Sequence, residues 1–202
     1  MRFTGTLYAL VYILMVLTAF VLPFFSSEEY SIVGNSLSEL GAQSTPGNWI
    51  MNGVFILLSI VTILLGSKVL RRFWIPLYLL FFFAIALGFT AIYRHAPITD
   101  SYFLEGEHIT HSIFSMITGV AFSAYCIAIV FTISKSIDKA LAFLMFSIAI
   151  GLSLFMVTFP QYRGVFQRTL FITAFAWIFY SLVTFKPKGA LKKGSGDTYF
   201  QD

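Results

Sequence analysis

Six apolar runs of about 20 residues each constrain this chain more than any other feature. At about 1.5 Å per residue, a helix of that length crosses about 30 Å of hydrocarbon. The runs extend from about Gly5 to Phe25, Trp49 to Gly66, Phe73 to Tyr93, Ile109 to Ile133, Ala140 to Phe159 and Val165 to Phe185. Lipid offers no partner to a bare N–H or C=O, so such runs must satisfy their backbone internally, as helices. Only 11% of the residues are charged, against about a quarter in a soluble domain. The expected fold is all-α: one polytopic domain of six transmembrane helices over residues 1–185, then a polar, disordered tail over 186–202.

The net charge of +4 does not point to nucleic acid, because the bases flank apolar runs and form no recognition motif. Their distribution predicts orientation instead. Arg2, Lys68, Arg71, Arg72, Lys135, Lys139, Lys186, Lys188, Lys192 and Lys193 fall on one side, and Arg94, Arg163 and Arg168 on the other. Ten against three predicts that both termini are cytoplasmic. Glu28, Glu29, Glu39, Asp100, Glu105, Glu107 and all three histidines then lie on the outer side. Cys126 is the one cysteine, so no internal disulfide forms, and its place within a run marks it as a packing residue. The first run is too long for the apolar part of a signal peptide, and Phe25-Ser26-Ser27 is a poor cleavage site.

The connections differ in kind. Ser67 to Arg72 and Ser134 to Lys139 are tight turns that predict antiparallel neighbours. The first outer connection, Ser26 to Asn48, is long enough to carry structure of its own. Ser36 with Glu39 three residues on reads as a capping box, predicting a short helix over the outer mouth of the bundle. The tail contains Gly194-Ser195-Gly196 and Tyr199-Phe200-Gln201, which resemble a linker and the end of a viral-protease tag site.

Candidate chemistry gathers at the head of the fourth run. His108 and His111 share a helix face, which continues as Ser112, Ser115, Thr118, Gly119 and Ser123. With His95 they form a candidate zinc set, in which Glu107 would serve as base toward a metal-bound water. A hydrogen-bonded cluster closing the helix end is the simpler account, since no spacing here is diagnostic of a metal. Ser38 beside Glu39 is a candidate nucleophile, although capping explains the same residues. Arg168 lies up to two turns inside the sixth run, where an unpaired guanidinium costs about 2.5–3.5 kcal/mol or more. An ion pair with Glu39 or Glu107 is therefore expected. Asn48, Asn52, Ser59, Thr62 and Gly66 repeat at helical spacing in the second run, as close helix packing in lipid requires.

Asn35-Ser36-Leu37-Ser38-Glu39-Leu40-Gly41-Ala42, Trp49-Ile50-Met51-Asn52, His111-Ser112 and Arg163-Gly164-Val165-Phe166-Gln167-Arg168 before Trp177 together resemble the bacterial family called domain of unknown function 998. The resemblance runs up to Phe185. It implies a six-helix protein of the bacterial cytoplasmic membrane and carries no activity with it.

Three functional readings follow from the residues. The first is an outward-facing polar pocket that binds a lipid headgroup or small anionic ligand, lined by Glu39, Asn52, His108, His111 and Arg168. The second is a membrane-embedded, zinc-dependent lipid hydrolase or transferase using the candidates above. The third, a small transporter, is weakened by the lack of any acid or base in the middle of a run and of any internal repeat.

Overall fold

The computed structural model describes residues 2–99 and 102–185. Asp100 and the tail 186–202 lie outside the described residues. The described chain is all-helical: α1 (Arg2–Val21), α2 (Leu37–Leu40), α3 (Asn48–Leu70), α4 (Trp74–Ile92), α5 (Glu105–Thr132), α6 (Ser136–Thr158) and α7 (Arg163–Val183). Single 3-10 turns sit at Leu22–Phe25 and Pro160–Tyr162, where Pro23 and Pro160 cannot donate to a helix ladder. Every helix but α2 is long and apolar enough to cross a membrane, which gives six candidate spans and a multi-pass architecture.

Successive long helices pack side by side, α1 on α3, α3 on α4, α4 on α5, α5 on α6 and α6 on α7, and α7 closes the ring against α1. The residues explain the close approaches. Ser59 of α3 donates to the Ala84 carbonyl of α4 at 2.6 Å, and Gly66 leaves room for Leu80, as small residues at a helix interface permit. Across the closing seam, Tyr8 of α1 stacks on Phe179 at 5.4 Å and donates to the Phe175 carbonyl at 3.1 Å. Large apolar side chains such as Phe3, Phe82, Val120 and Val157 point outward, where lipid takes the place of a core.

Bases flank the turns at one end of the ring, around Arg71 and Lys135, and α2 lies at the other, the lid end. α2 packs on both α3 and α7, with Leu37 and Leu40 fully buried beneath it.

Candidate functional site

The capping box at the start of α2 is formed. Ser36 Oγ accepts from the Glu39 N–H at 3.3 Å, and a Glu39 carboxylate oxygen accepts from the Ser36 N–H at 2.6 Å. The same carboxylate accepts from Asn35 Nδ2 at 3.1 Å and from Arg163 Nη2 at 2.9 Å. Burial alone would raise the Glu39 pKa, but the Ser36 hydrogen bonds, Arg163 and Asn35 outweigh it and hold the carboxyl below its ordinary range. Glu39 is thus an ionised clamp between the lid and the first turn of α7.

Arg168 departs from expectation. It meets neither Glu39 nor Glu107, because Glu39 pairs with Arg163 and Glu107 pairs with Arg94 at 3.2 Å. It sits more than one turn deeper on α7 than Arg163, 3% exposed, where the lid backbone turns its carbonyls inward. Nε donates to Ala19 O at 3.2 Å. Nη1 donates to Ile32 O and Asn35 O at 2.9 Å and to Gly164 O at 3.1 Å. Nη2 donates to Tyr30 Oη at 2.6 Å. Tyr30 in turn donates to the carbonyls of Asn35 and Ser36. Burial pushes the Tyr30 phenol up to about 12 against the opposing pull of Arg168, so it stays neutral. Arg168 is a hub for lid carbonyls, with little donor capacity left for a ligand.

Gly164 lets the two surfaces meet. A Cβ there would collide with the carbonyls of Ile32, Val33 and Asn35, and Val165 N–H donates to Val33 O at 3.3 Å. Gly41 plays a similar part beside Asn52, whose amide donates to the Gly41 carbonyl at 2.9 Å. Asn52 therefore holds the end of α2 in place.

The three histidines do come together. The His95 ring lies edge-on to His108 and His111, with centroids 4.6 and 5.4 Å apart. His111 Nδ1 lies 2.8 Å from both Thr90 O and Tyr93 O, and carbonyls can only accept, so this nitrogen carries the proton. His95 Nδ1 donates to Ala96 O at 2.8 Å by the same argument, while His108 Nδ1 accepts from the Ala96 N–H at 3.1 Å. Burial, with the neighbouring imidazoles, lowers the His95 pKa despite its carbonyl partner. Among the described residues, no three His, Cys, Asp or Glu side chains are placed to hold one metal ion. Glu107, the candidate base, is occupied by Arg94 through both side chain and backbone N–H. Gln43 seals the seam between the lid and the α4–α5 loop: its amide accepts from Leu104 N–H at 2.8 Å and donates to Leu104 O at 3.0 Å.

Beneath α2, between α3, α4, α5, α6 and α7, lies a cavity of about 190 Å³. Its walls are apolar, with Phe55, Phe83, Leu87, Phe122 and Phe171 among them. Its polar lining comes from Ser38, Thr90, Ser115, Thr118, Ser153 and Gln167. Ser38 hangs from α2 into the roof, 9% exposed, and its hydroxyl makes no hydrogen bond to the described residues. No base orients it, since the Glu39 carboxylate is already taken by Ser36, Asn35 and Arg163. Gln167 accepts from Leu37 N–H through Oε1.

Of the residues singled out in the sequence, Ser38, Ser115, Thr118 and Gly119 line the cavity. Glu39, Asn52 and Arg168 hold the lid, and His108 and His111 hold the α4–α5 loop. Sequence reasoning gave no role to Tyr30, Gln43 or Ser153, which belong to no motif, and took Gln167 only as one position of the Arg163–Arg168 motif. Arg163 was read as an outer base and a motif position and given no partner, although its place three residues after Pro160, at a helix start facing an acidic lid, was a usable signal.

No curated protein and no solved structure matches the chain. One family model does match, over residues 9–184, nearly the whole described bundle. The chain therefore belongs to the family described as protein of unknown function DUF998.

Proposed function

We propose that this protein is a lipid-binding protein of the bacterial cytoplasmic membrane, with both termini inside and the lid on the outer face. The ten-to-three bias of bases toward the end opposite the lid supports the orientation. The cavity beneath α2 carries the binding reading. It lies within the spans, is walled by aromatic and aliphatic side chains, and offers a few convergent polar groups, as small-molecule sites do. The binding groups are the cavity's own lining and not the lid residues Glu39 and Arg168, whose hydrogen bonds hold the lid itself.

Lipid co-purification tests the reading. Gly119 borders the cavity, and a Cβ added there meets nothing within 4 Å. Gly119→Phe is therefore expected to fill the space without disturbing the fold. The protein should carry tightly bound lipid through purification, detected by native mass spectrometry, and Gly119→Phe should lose it at an unchanged melting temperature. Equal lipid on both proteins would overturn the proposal.

A further inference from the structure

The cavity lining also bears on what kind of lipid fits. Resting on the cavity reading above, we infer that the ligand is a single-chain lipid with an uncharged, hydroxyl- or carbonyl-bearing head, held under Ser38 and Gln167, whose chain leaves sideways between α5 and α6.

Charge is the first argument. No Asp, Glu, His, Lys or Arg lines the cavity. The arginines of the lid end are engaged: Arg94 with Glu107, Arg163 with Glu39, and Arg168 with lid carbonyls. A phosphate entering this space would lose its water and find no countercharge, at a penalty of several kcal/mol.

Hydrogen bonding is the second. Ser and Thr hydroxyls on these helices generally bond back to their own helix, as Thr118 does to Phe114 O and Thr90 to Leu87 O. Ser38, Ser115 and Ser153 make no such bond, and all three line the cavity. With Gln167 Oε1 accepting from Leu37, its NH₂ group remains a donor. Three hydroxyls and an amide N–H around an apolar space suit an alcohol, which both offers and takes neutral hydrogen bonds, and an ester carbonyl, which takes them.

Size and access are the third. The 190 Å³ available exceeds the roughly 150 Å³ of an engineered cavity that accepts benzene, and corresponds to about six water volumes at about 30 Å³ each. That room suits a glycerol-sized head and not two acyl chains. Ser115 and Gly119 on α5 and Ser153 on α6 line the cavity yet are exposed, so it opens between these two helices. The chain neighbours of these residues, Met116, Val120 and Leu154, are exposed apolar side chains, as a lipid-facing surface requires. Ser115 lies ten residues below the start of α5, about 15 Å along its axis, at hydrocarbon depth. A ligand that enters there arrives from the bilayer, and an ionic head would have to cross hydrocarbon to do so.

The test offers the full-length protein in detergent an equimolar pair of lipids with the same chain, monooleoylglycerol and oleoyl-lysophosphatidic acid, and reads bound mass by native mass spectrometry. Monooleoylglycerol should be retained at least about tenfold over its phosphorylated counterpart. The triple variant S38A/S115A/S153A removes only hydroxyls that bond nothing in the protein. It should keep its melting temperature and lose most of that retention. If lysophosphatidic acid binds as well or better, and Gly119→Phe abolishes it, the uncharged-head inference falls while the cavity reading stands. If neither lipid binds, or both survive Gly119→Phe, the cavity reading falls and takes the inference with it.

Discussion

Arg168 Nη2 lies 2.6 Å from Tyr30 Oη, and the phenol hands its own hydrogen to the carbonyls of Asn35 and Ser36. A cation buried in the last span is thereby spread over lid backbone, with no carboxylate against it. Truncation by Arg168→Leu leaves those carbonyls without their donor, and the expected loss is about 3 kcal/mol or more. Tyr30→Phe removes a single hydroxyl and should cost about 1–2 kcal/mol. Melting temperatures in detergent should fall in that order, and an Arg168→Leu protein as stable as the parent would contradict the hub.

Two helical glycines should answer alanine with opposite signs. Gly164→Ala drives a methyl into three lid carbonyls, so the lid or the first turn of α7 must move and stability drops. Gly119→Ala meets open space and gains helix propensity, up to about 1 kcal/mol. Thermal unfolding of the two variants side by side checks both signs.

Acid should loosen the lid end in two stages. His95 is held below its ordinary 6.5, so its contribution is complete above that pH and is lost as pH falls toward the folded value. Glu39 is held below its ordinary 4.5, so its contribution is complete above that pH and is lost on further acidification. Melting temperature followed from about pH 8 to about pH 3 should therefore decline in both windows. His95→Asn should flatten the upper stage and Glu39→Gln the lower. A variant that reproduces the parent's slope would remove its residue from the account.

The imidazole cluster makes a metal prediction. With Nδ1 of His95 and His111 donating to carbonyls, and Glu107 held by Arg94, EDTA should leave the melting temperature unchanged. Zinc in the purified protein should stay below roughly a tenth of an equivalent. A stoichiometric metal would revive the hydrolytic reading of His95, His108 and His111.

Gln43 should matter more than its unremarkable type suggests. Its two-point pairing with Leu104 and the bond from its own N–H to His95 O join the two lid-end loops. Gln43→Ala removes the side-chain bonds at about 1 kcal/mol each. Hydrogen exchange at Leu104 and its neighbours should quicken, while exchange within α3 stays as it was.

Features that depend on spacing along the chain were readable in the sequence, and features that depend on meeting were not. All six spans were visible because lipid enforces length and apolarity, and observed boundaries such as Asn48–Leu70 and Ser136–Thr158 extend the expected ones by a few residues. The Ser36–Glu39 capping box is local and was legible for that reason. The partners of Arg168 are mostly backbone carbonyls, which leave no mark on residue type, so the sequence suggested an acid in their place. The cavity was half visible. Ser115, Thr118 and Gly119 announced a stripe, but only the folded backbone shows that Gly119 faces open space while Gly66 is packed against Leu80.

The link from Arg168 to Ala19 O joins residues 149 positions apart. The lid is therefore fastened from widely separated parts of the chain, with Asn52 of α3 and Leu104 before α5 as its other anchors. Prying α7 from its neighbours would unfasten Tyr30 and Asn35 while these two anchors held, so the segment would swing from its α2 end and not come away.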